Sequence, residues 1–123
     1  MEAKDLMIGD YVYNHRNWEC PIVEIHKDSA VVIAKHYGEE EFLLSDLKPI
    51  PLTTEILEKN GFVEKSERRW VLSDEYTGDE VLVLYEVAIG FAMPTLGLAI
   101  GLQNVHELQH LFKLCGIDKE IEL

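Results

Sequence analysis

Positive charge and cysteine are both scarce in this chain. Lys and Arg number 11 against 23 Asp and Glu in 123 residues, which gives a formal net charge of -12 at pH 7. Nucleic-acid binding depends mainly on Lys and Arg contacts to phosphates, and anionic membranes attract basic segments. We therefore expect neither direct nucleic-acid binding nor a membrane partner. The two cysteines, Cys20 and Cys115, exclude a disulfide framework and a C-x-x-C pair.

The chain also lacks the usual signs of secretion at its start. The first residues, MEAKDLMIGDYVYN, contain no basic segment followed by an apolar one. Two reduced thiols are typical of a reducing compartment. The sequence therefore predicts a cytoplasmic protein.

One long apolar stretch, VLVLYEVAIGFAMPTLGLAIGL, runs from Val81 to Leu102 with Glu86 as its only charge. Its glycines, its proline and its β-branched residues favour two strands over a membrane helix. The turn at 90–95 carries almost no polar atoms, and its residues are Phe91, Ala92, Met93 and Pro94. If this turn is exposed, it predicts a protein partner or a homodimer. The alternative is that it folds back under a neighbouring helix.

The pattern of short strands and turns predicts an α+β fold. Residues 1–50 contain four or five short strands with tight turns, which indicates a small lobe that resembles an SH3-like β-barrel. Residues 51–123 form the predicted second lobe, an antiparallel β-meander packed by a C-terminal helix. Its predicted elements are a linker helix at 53–60, strands at about 68–73, 81–89 and 96–103, and a helix at 104–115.

The C-terminal helix contains His106-Glu107-Leu108-Gln109-His110, which matches the zinc-protease pattern H-E-x-x-H. In that pattern two histidines one turn apart bind zinc and the glutamate activates a water. On a helical wheel, however, an apolar stripe lies opposite His106 and His110, which predicts two solvated histidines. We therefore expect no metal and no catalytic residue. The alternative is a minimal zinc hydrolase with His106 and His110 as ligands and Glu107 as base.

Four aromatic residues of the first lobe are candidates for a binding groove. Tyr11, Tyr13, Trp18 and Tyr37 are spread over its predicted strands and turns. Aromatic grooves on small barrels bind peptides or methylated lysines. The alternative is that these side chains form the barrel core and scattered surface positions.

Three phrases of the sequence, taken together, carry a resemblance to a known group. DLMIGDYVY, DLKPIPLTTEILEKNGF and VHELQHLFKLCG occur in this order. They resemble small proteins of gut Bacteroides and of their phages and mobile elements, a group with no assigned activity. The resemblance implies the architecture of a small barrel, a meander and a final helix. It transfers no catalytic residue, and it implies that the position of His110 need not be histidine. The stretch from Val81 to Leu102 is more apolar than the pattern of the group.

These observations favour a non-catalytic cytosolic binding or adaptor protein that acts through protein contacts and is associated with a mobile element. The zinc hydrolase is the first alternative. An acidic nucleic-acid mimic or regulator is the second, because the chain is strongly acidic.

Overall fold

The computed structural model describes residues 1–88, 90–93 and 98–123. It is an α+β protein with two antiparallel sheets of five strands each and two α-helices. The chain divides into two compact units. The first unit comprises Met1–Pro51 and Asn104–Asp118, and the second comprises Leu52–Gln103 and Lys119–Leu123. No helix among the described residues is long and apolar enough to cross a membrane.

The sheet of the first unit has five antiparallel strands. Its order is β4-β3-β2-β1-β5. The order has two ends, at β4 and β5, so this sheet is open and a closed SH3-like barrel is not confirmed. A 3-10 turn, Leu44–Asp46, lies between β4 and β5. The bounds are β1 Tyr11–Tyr13, β2 Glu19–Ile25, β3 Ser29–Ala34, β4 Gly38–Leu43 and β5 Lys48–Pro49.

One face of the first sheet forms the core of its unit. Neighbouring residues on a strand point to opposite faces, so every second residue of β2 and β3 is buried. The fully buried side chains on this face are Val12, Cys20, Ile22, Ala30 and Val32, and Trp18 and Phe42 pack partly against them. The opposite face carries apolar and polar side chains alike, for example Val31 and its pairing partner Glu41.

The second unit is a meander in which each strand pairs with the next along the chain. Its order is β10-β9-β8-β7-β6. The helix α1 (Thr54–Lys59) precedes it, capped by Thr53 Oγ1, which accepts a hydrogen bond from Ile56 N–H at 3.3 Å. The helix ends at Asn60 and Gly61, where the positive φ of 91° suits glycine. The strand bounds are β6 Val63–Ser66, β7 Arg69–Ser73, β8 Glu80–Glu86, β9 Phe91–Met93 and β10 Leu98–Leu102.

The structure corrects the prediction for residues 81–103. The sequence predicted two strands, at 81–89 and 96–103, with a turn between them. Instead, β9 lies where the turn was predicted, pairing with β8 on one side and β10 on the other. The backbone can turn this early because Gly90 adopts a φ of 78°.

The helix α2 (Val105–Leu114) belongs to the first unit, although the sequence placed it in the second lobe. Its side chains explain this placement. Gln109 accepts from Tyr11 N–H at 2.9 Å and donates to Gly9 O at 2.9 Å. The helix therefore packs on the start of β1, while the tail after it returns to the second unit.

Candidate functional site

Two turns of the first unit place exposed side chains beside each other. In the turn between β1 and β2, Asn14 Oδ1 accepts from the backbone N–H groups of Arg16 and Trp18, at 2.9 and 3.0 Å. Asn14 is 3% exposed, and Asn17 adopts a φ of 59° that closes the turn. Asparagine suits this role because its short amide satisfies nearby backbone donors. The turn therefore fixes the backbone from which Arg16 and Trp18 project.

The turn between β3 and β4 supplies the second set of side chains. Tyr37 N–H donates to Ala34 O at 3.0 Å, and His36 and Gly38 adopt φ values of 75° and 76°. These left-handed residues make the turn tight. It presents Tyr37 at its tip, with the side chain 66% exposed.

The two turns together form a stacked cluster, which we call the aromatic surface: Arg16, Trp18 and Tyr37. The rings of Trp18 and Tyr37 lie 4.6 Å apart between centroids, with 34° between their planes. The Arg16 guanidinium carbon lies 4.9 Å from the Trp18 ring centroid and 5.8 Å from that of Tyr37. Both distances fall within the range of a cation–π contact.

The structure brings only half of the predicted aromatic groove together. Tyr11 and Tyr13 are half-buried on β1, on either side of the fully buried Val12. Because strand residues alternate, their side chains lie on the face opposite the core, whereas Trp18 packs against the core. Of the four predicted residues, Trp18 and Tyr37 are a pair whose rings meet.

An acidic strand borders the aromatic surface. Glu39, Glu40 and Glu41 are exposed on β4, the edge strand that begins directly after Tyr37, and we call these three residues the acidic edge. Glu40 pairs with Val32, so it lies on the same face of the sheet as the core. Burial, together with the charges of Glu40 and Glu19, raises the pKa of the Cys20 thiol. The carboxylates of Glu40 and Glu19 therefore lie near the Cys20 thiol.

The predicted zinc residues form a second polar cluster in the first unit. His110 Nε2 lies 2.7 Å from Asp10 Oδ2, which also accepts from Met7 N–H at 2.8 Å. The His106 and His110 rings lie 5.7 Å apart between centroids. His106 is 6% exposed and Asp10 is fully buried. The prediction of two solvated histidines is therefore wrong, because the loop that carries Asp10 packs against this face of α2.

Asp10 Oδ1 and His106 Nδ1 are buried and have no hydrogen-bond partner among the residues that the structure describes. Burial lowers the pKa of His106, although the nearby carboxylates of Asp10 and Glu107 act in the opposite direction. Burial therefore favours the neutral form of the His106 imidazole. His106 and His110 both line an open cavity of about 530 Å³, together with Asp5 and Glu107.

The geometry of Glu107 disfavours the role of a catalytic base. Its Oε1 accepts from the backbone N–H of Asn104 at 2.9 Å and from the Asn104 side chain at 3.1 Å. Glutamate at this position of a helix commonly caps the first turn. Within the described residues, no three His, Cys, Asp or Glu side chains are placed to hold a metal ion.

The predicted partner-binding turn is largely buried in the second unit. Phe91 and Met93 are 4% and 8% exposed, and Ala92 is half-buried between them on β9. Pro94 lies outside the described residues. The predicted partner depended on an exposed turn, and this condition is not met at Phe91 and Met93, because these residues form a strand whose side chains enter the core.

Comparisons with protein-family models, with curated proteins and with solved structures found no match. The resemblance to Bacteroides and phage proteins therefore stays a prediction, and the site is interpreted from its own geometry.

Sequence reasoning missed two residues that organise these sites. Arg16 carried no signal, because its contact with Tyr37 joins two turns that are far apart in sequence. Asp10 was missed because its partner His110 is 100 residues away. Asn14 followed by Asn17 is typical of a hydrogen-bonded turn, but this pattern predicts only the turn and not the contact of Arg16 with the rings.

Proposed function

We propose that this protein is a non-catalytic binding protein that recognises a positively charged, extended segment of a partner protein through the aromatic surface and the acidic edge. The observation that carries the proposal is the contact of the exposed Tyr37 and Arg16 with the half-buried Trp18 on two hydrogen-bonded turns. Aromatic side chains held in one conformation lose little entropy on binding, and Trp and Tyr contribute a large share of the binding energy at interfaces.

The charge of β4 supports a basic occupant. An edge strand offers its backbone to another strand, and charged residues on it prevent unwanted pairing. Two copies of β4 paired with each other would bring their glutamates together, which is destabilising. A basic strand gains from the same glutamates, and the net charge of -12 attracts it over longer distances.

A pair of synthetic peptides tests this proposal. The arginine probe alternates arginine with threonine, and the matched glutamate probe replaces each arginine with glutamate. We expect the protein to bind the arginine probe in a fluorescence anisotropy titration and the glutamate probe not at all. We expect Tyr37→Ala to weaken binding about tenfold, which corresponds to about 1.4 kcal/mol.

The chain offers a matched control for that substitution. Tyr76 is 96% exposed and lies on a loop of the second unit, so Tyr76→Ala removes the same side chain elsewhere. We expect its affinity to equal that of the unmodified protein. Equal affinities of the two tyrosine variants would contradict the proposal, since attraction by net charge alone would explain them. Equal binding of both probes would also contradict it, because such binding would not depend on the charge of the segment.

Zinc-dependent hydrolysis is the second candidate, and one observation favours it: His106 and His110 line the same cavity. Elemental mass spectrometry of the purified protein, beside His106→Ala, separates the two candidates. About one zinc per chain that is lost in His106→Ala would favour the hydrolase. Metal at background in both proteins would leave the binding proposal as the better account. The nucleic-acid mimic stays an alternative that no observed contact favours.

Under this proposal the protein acts in the cytosol as an adaptor, in keeping with an association with mobile elements. A partner or second copy at the 90–95 turn is not part of the proposal, because Phe91 and Met93 are buried.

A further inference from the structure

We propose that Arg16 occupies, in the free protein, the position that an arginine of the partner takes in the complex, so that binding displaces Arg16 and selects arginine over lysine. This inference rests on the proposed function and names the chemistry that the aromatic surface recognises. The aromatic surface already holds one guanidinium group, that of Arg16, and an arginine of the partner would bring the same group.

The Arg16 side chain is held weakly. It is exposed, and its guanidinium contacts the rings of Trp18 and Tyr37. In the part of the chain that the structure describes, no carboxylate forms an ion pair with it. A cation–π contact at an exposed site contributes little. Arg16 can therefore leave the rings without disturbing the turn, whose hydrogen bonds involve the backbone and Asn14.

An arginine of the partner gains more from the same position than Arg16 does. It stacks on the same two rings, and the segment that carries it can also pair with β4 and meet the glutamates of the acidic edge. Arg16 lies on a turn of the same unit and cannot form those strand contacts. The exchange therefore favours the partner once the segment is aligned along β4.

The shape of the guanidinium explains the preference for arginine. A planar guanidinium stacks flat on aromatic rings, whereas the ammonium of lysine is a compact, strongly hydrated charge. The Arg16 guanidinium carbon lies 4.9 and 5.8 Å from the two ring centroids, so one guanidinium group can contact both rings at once. A lysine would keep the attraction to the acidic edge and lose the stacking.

The chain provides a control that separates displacement from simple charge. Lys35 is exposed in the turn before Tyr37, so Lys35→Ala removes one positive charge near the surface without vacating the rings. Removing either cation reduces repulsion of a basic probe. Only Arg16→Ala also frees the aromatic faces.

The test is a titration of the arginine probe against the unmodified protein, Arg16→Ala and Lys35→Ala. We expect Arg16→Ala to bind about two- to fivefold more tightly than Lys35→Ala, since it does not have to release a cation from the rings. We also expect a probe with lysine in place of arginine to bind more weakly to all three proteins. Affinity of Arg16→Ala equal to or below that of Lys35→Ala would overturn the inference.

A second readout follows Arg16 itself. In an NMR titration, the Arg16 Nε–H signal carries the ring-current shift of the stacked aromatic rings. We expect this shift to vanish as the arginine probe saturates the protein. A signal that keeps its shift in the complex would show that Arg16 is not displaced, while binding that depends on Tyr37 would leave the proposed function standing. Absence of binding to both the unmodified protein and Arg16→Ala would refute the proposed function and this inference together.

Discussion

The turns of the first unit and the apolar stretch of the second unit treat their large side chains in opposite ways. Tyr37 stands 66% exposed at the tip of a turn, and it stacks on Trp18. Phe91 and Met93, in the most apolar stretch of the chain, are buried on β9. Position within an element therefore decides exposure more than local composition does. A turn directs its side chains outward, whereas a strand in a sheet directs alternate side chains into the core.

The largest expected effect is the loss of stability on replacing Phe91, the buried residue of this comparison. We expect Phe91→Ala to lower the free energy of unfolding of the second unit by about 3–5 kcal/mol, because a nearly buried aromatic ring leaves a cavity. Chemical denaturation followed by the fluorescence of Trp70, on β7 of the same unit, measures this. Val87→Ala is the control: its residue is 45% exposed, and we expect a change within about 0.5 kcal/mol. If Phe91→Ala left the stability unchanged and altered self-association, the result would contradict the burial of Phe91 and would indicate an exposed turn.

A second prediction compares two histidine–carboxylate pairs. Asp10 is fully buried against His110, whereas Glu24 and His26 are both exposed at 3.2 Å from each other. We expect Asp10→Ala to cost about 3 kcal/mol, since it removes a buried partner of His110 and of Met7 N–H. We expect His26→Ala to cost less than about 1 kcal/mol. Thermal or chemical unfolding measures both, and equal losses would show that the Asp10–His110 contact does not anchor α2.

Two glycines with similar φ angles, Gly90 and Gly78, test the close approach of the backbone at the start of β9. A Cβ on Gly90 would lie 2.2 Å from Leu102 O, while nothing lies within 4 Å of one on Gly78, although φ is positive at both. We expect Gly78→Ala to cost about 1 kcal/mol for the backbone angle alone. We expect Gly90→Ala to cost about 2 kcal/mol or more, because the backbone must also move. Equal losses in denaturant unfolding would argue against the close approach of Gly90 to Leu102.

The smallest expected effect is a pH dependence that arises from His106. Burial lowers its folded-state pKa below the unfolded value, so the unfolded chain binds more protons as the pH falls below about 6.5. Stability is therefore expected to fall with decreasing pH in that range. The charged groups near His106 are Asp5, Asp10, Glu107 and His110. We expect His106→Gln to show a flatter dependence in metal-free buffer. Identical slopes for the two proteins would contradict the burial of His106.

Much of the strand pattern could be predicted from the sequence, since alternation is a local property. The sequence predicted four or five short strands in residues 1–50, and the structure has five there; the helix predicted at 53–60 corresponds to α1. The strand β6 was missed because all its residues are exposed, so it has no apolar alternation. The strand β9 was missed because glycine and proline on either side favoured a turn.

The sites could be predicted only in part, because their contacts join distant segments. The H-E-x-x-H pattern located His106 and His110 on one helix, yet the helical wheel could not show that Asp10 covers them. The aromatic residues of the first unit were found as a set. Their division between the two faces of the sheet depends on the register of β1 against β2, which local patterning does not specify.

The most direct test of the central claim is an NMR map of the backbone amides that shift when the arginine probe is added to the unmodified protein. We expect the largest shifts at Arg16, Trp18 and Tyr37 and along β4, and no comparable shifts in the second unit. Shifts centred on the cavity beside His106 and His110, or spread evenly over both units, would contradict it.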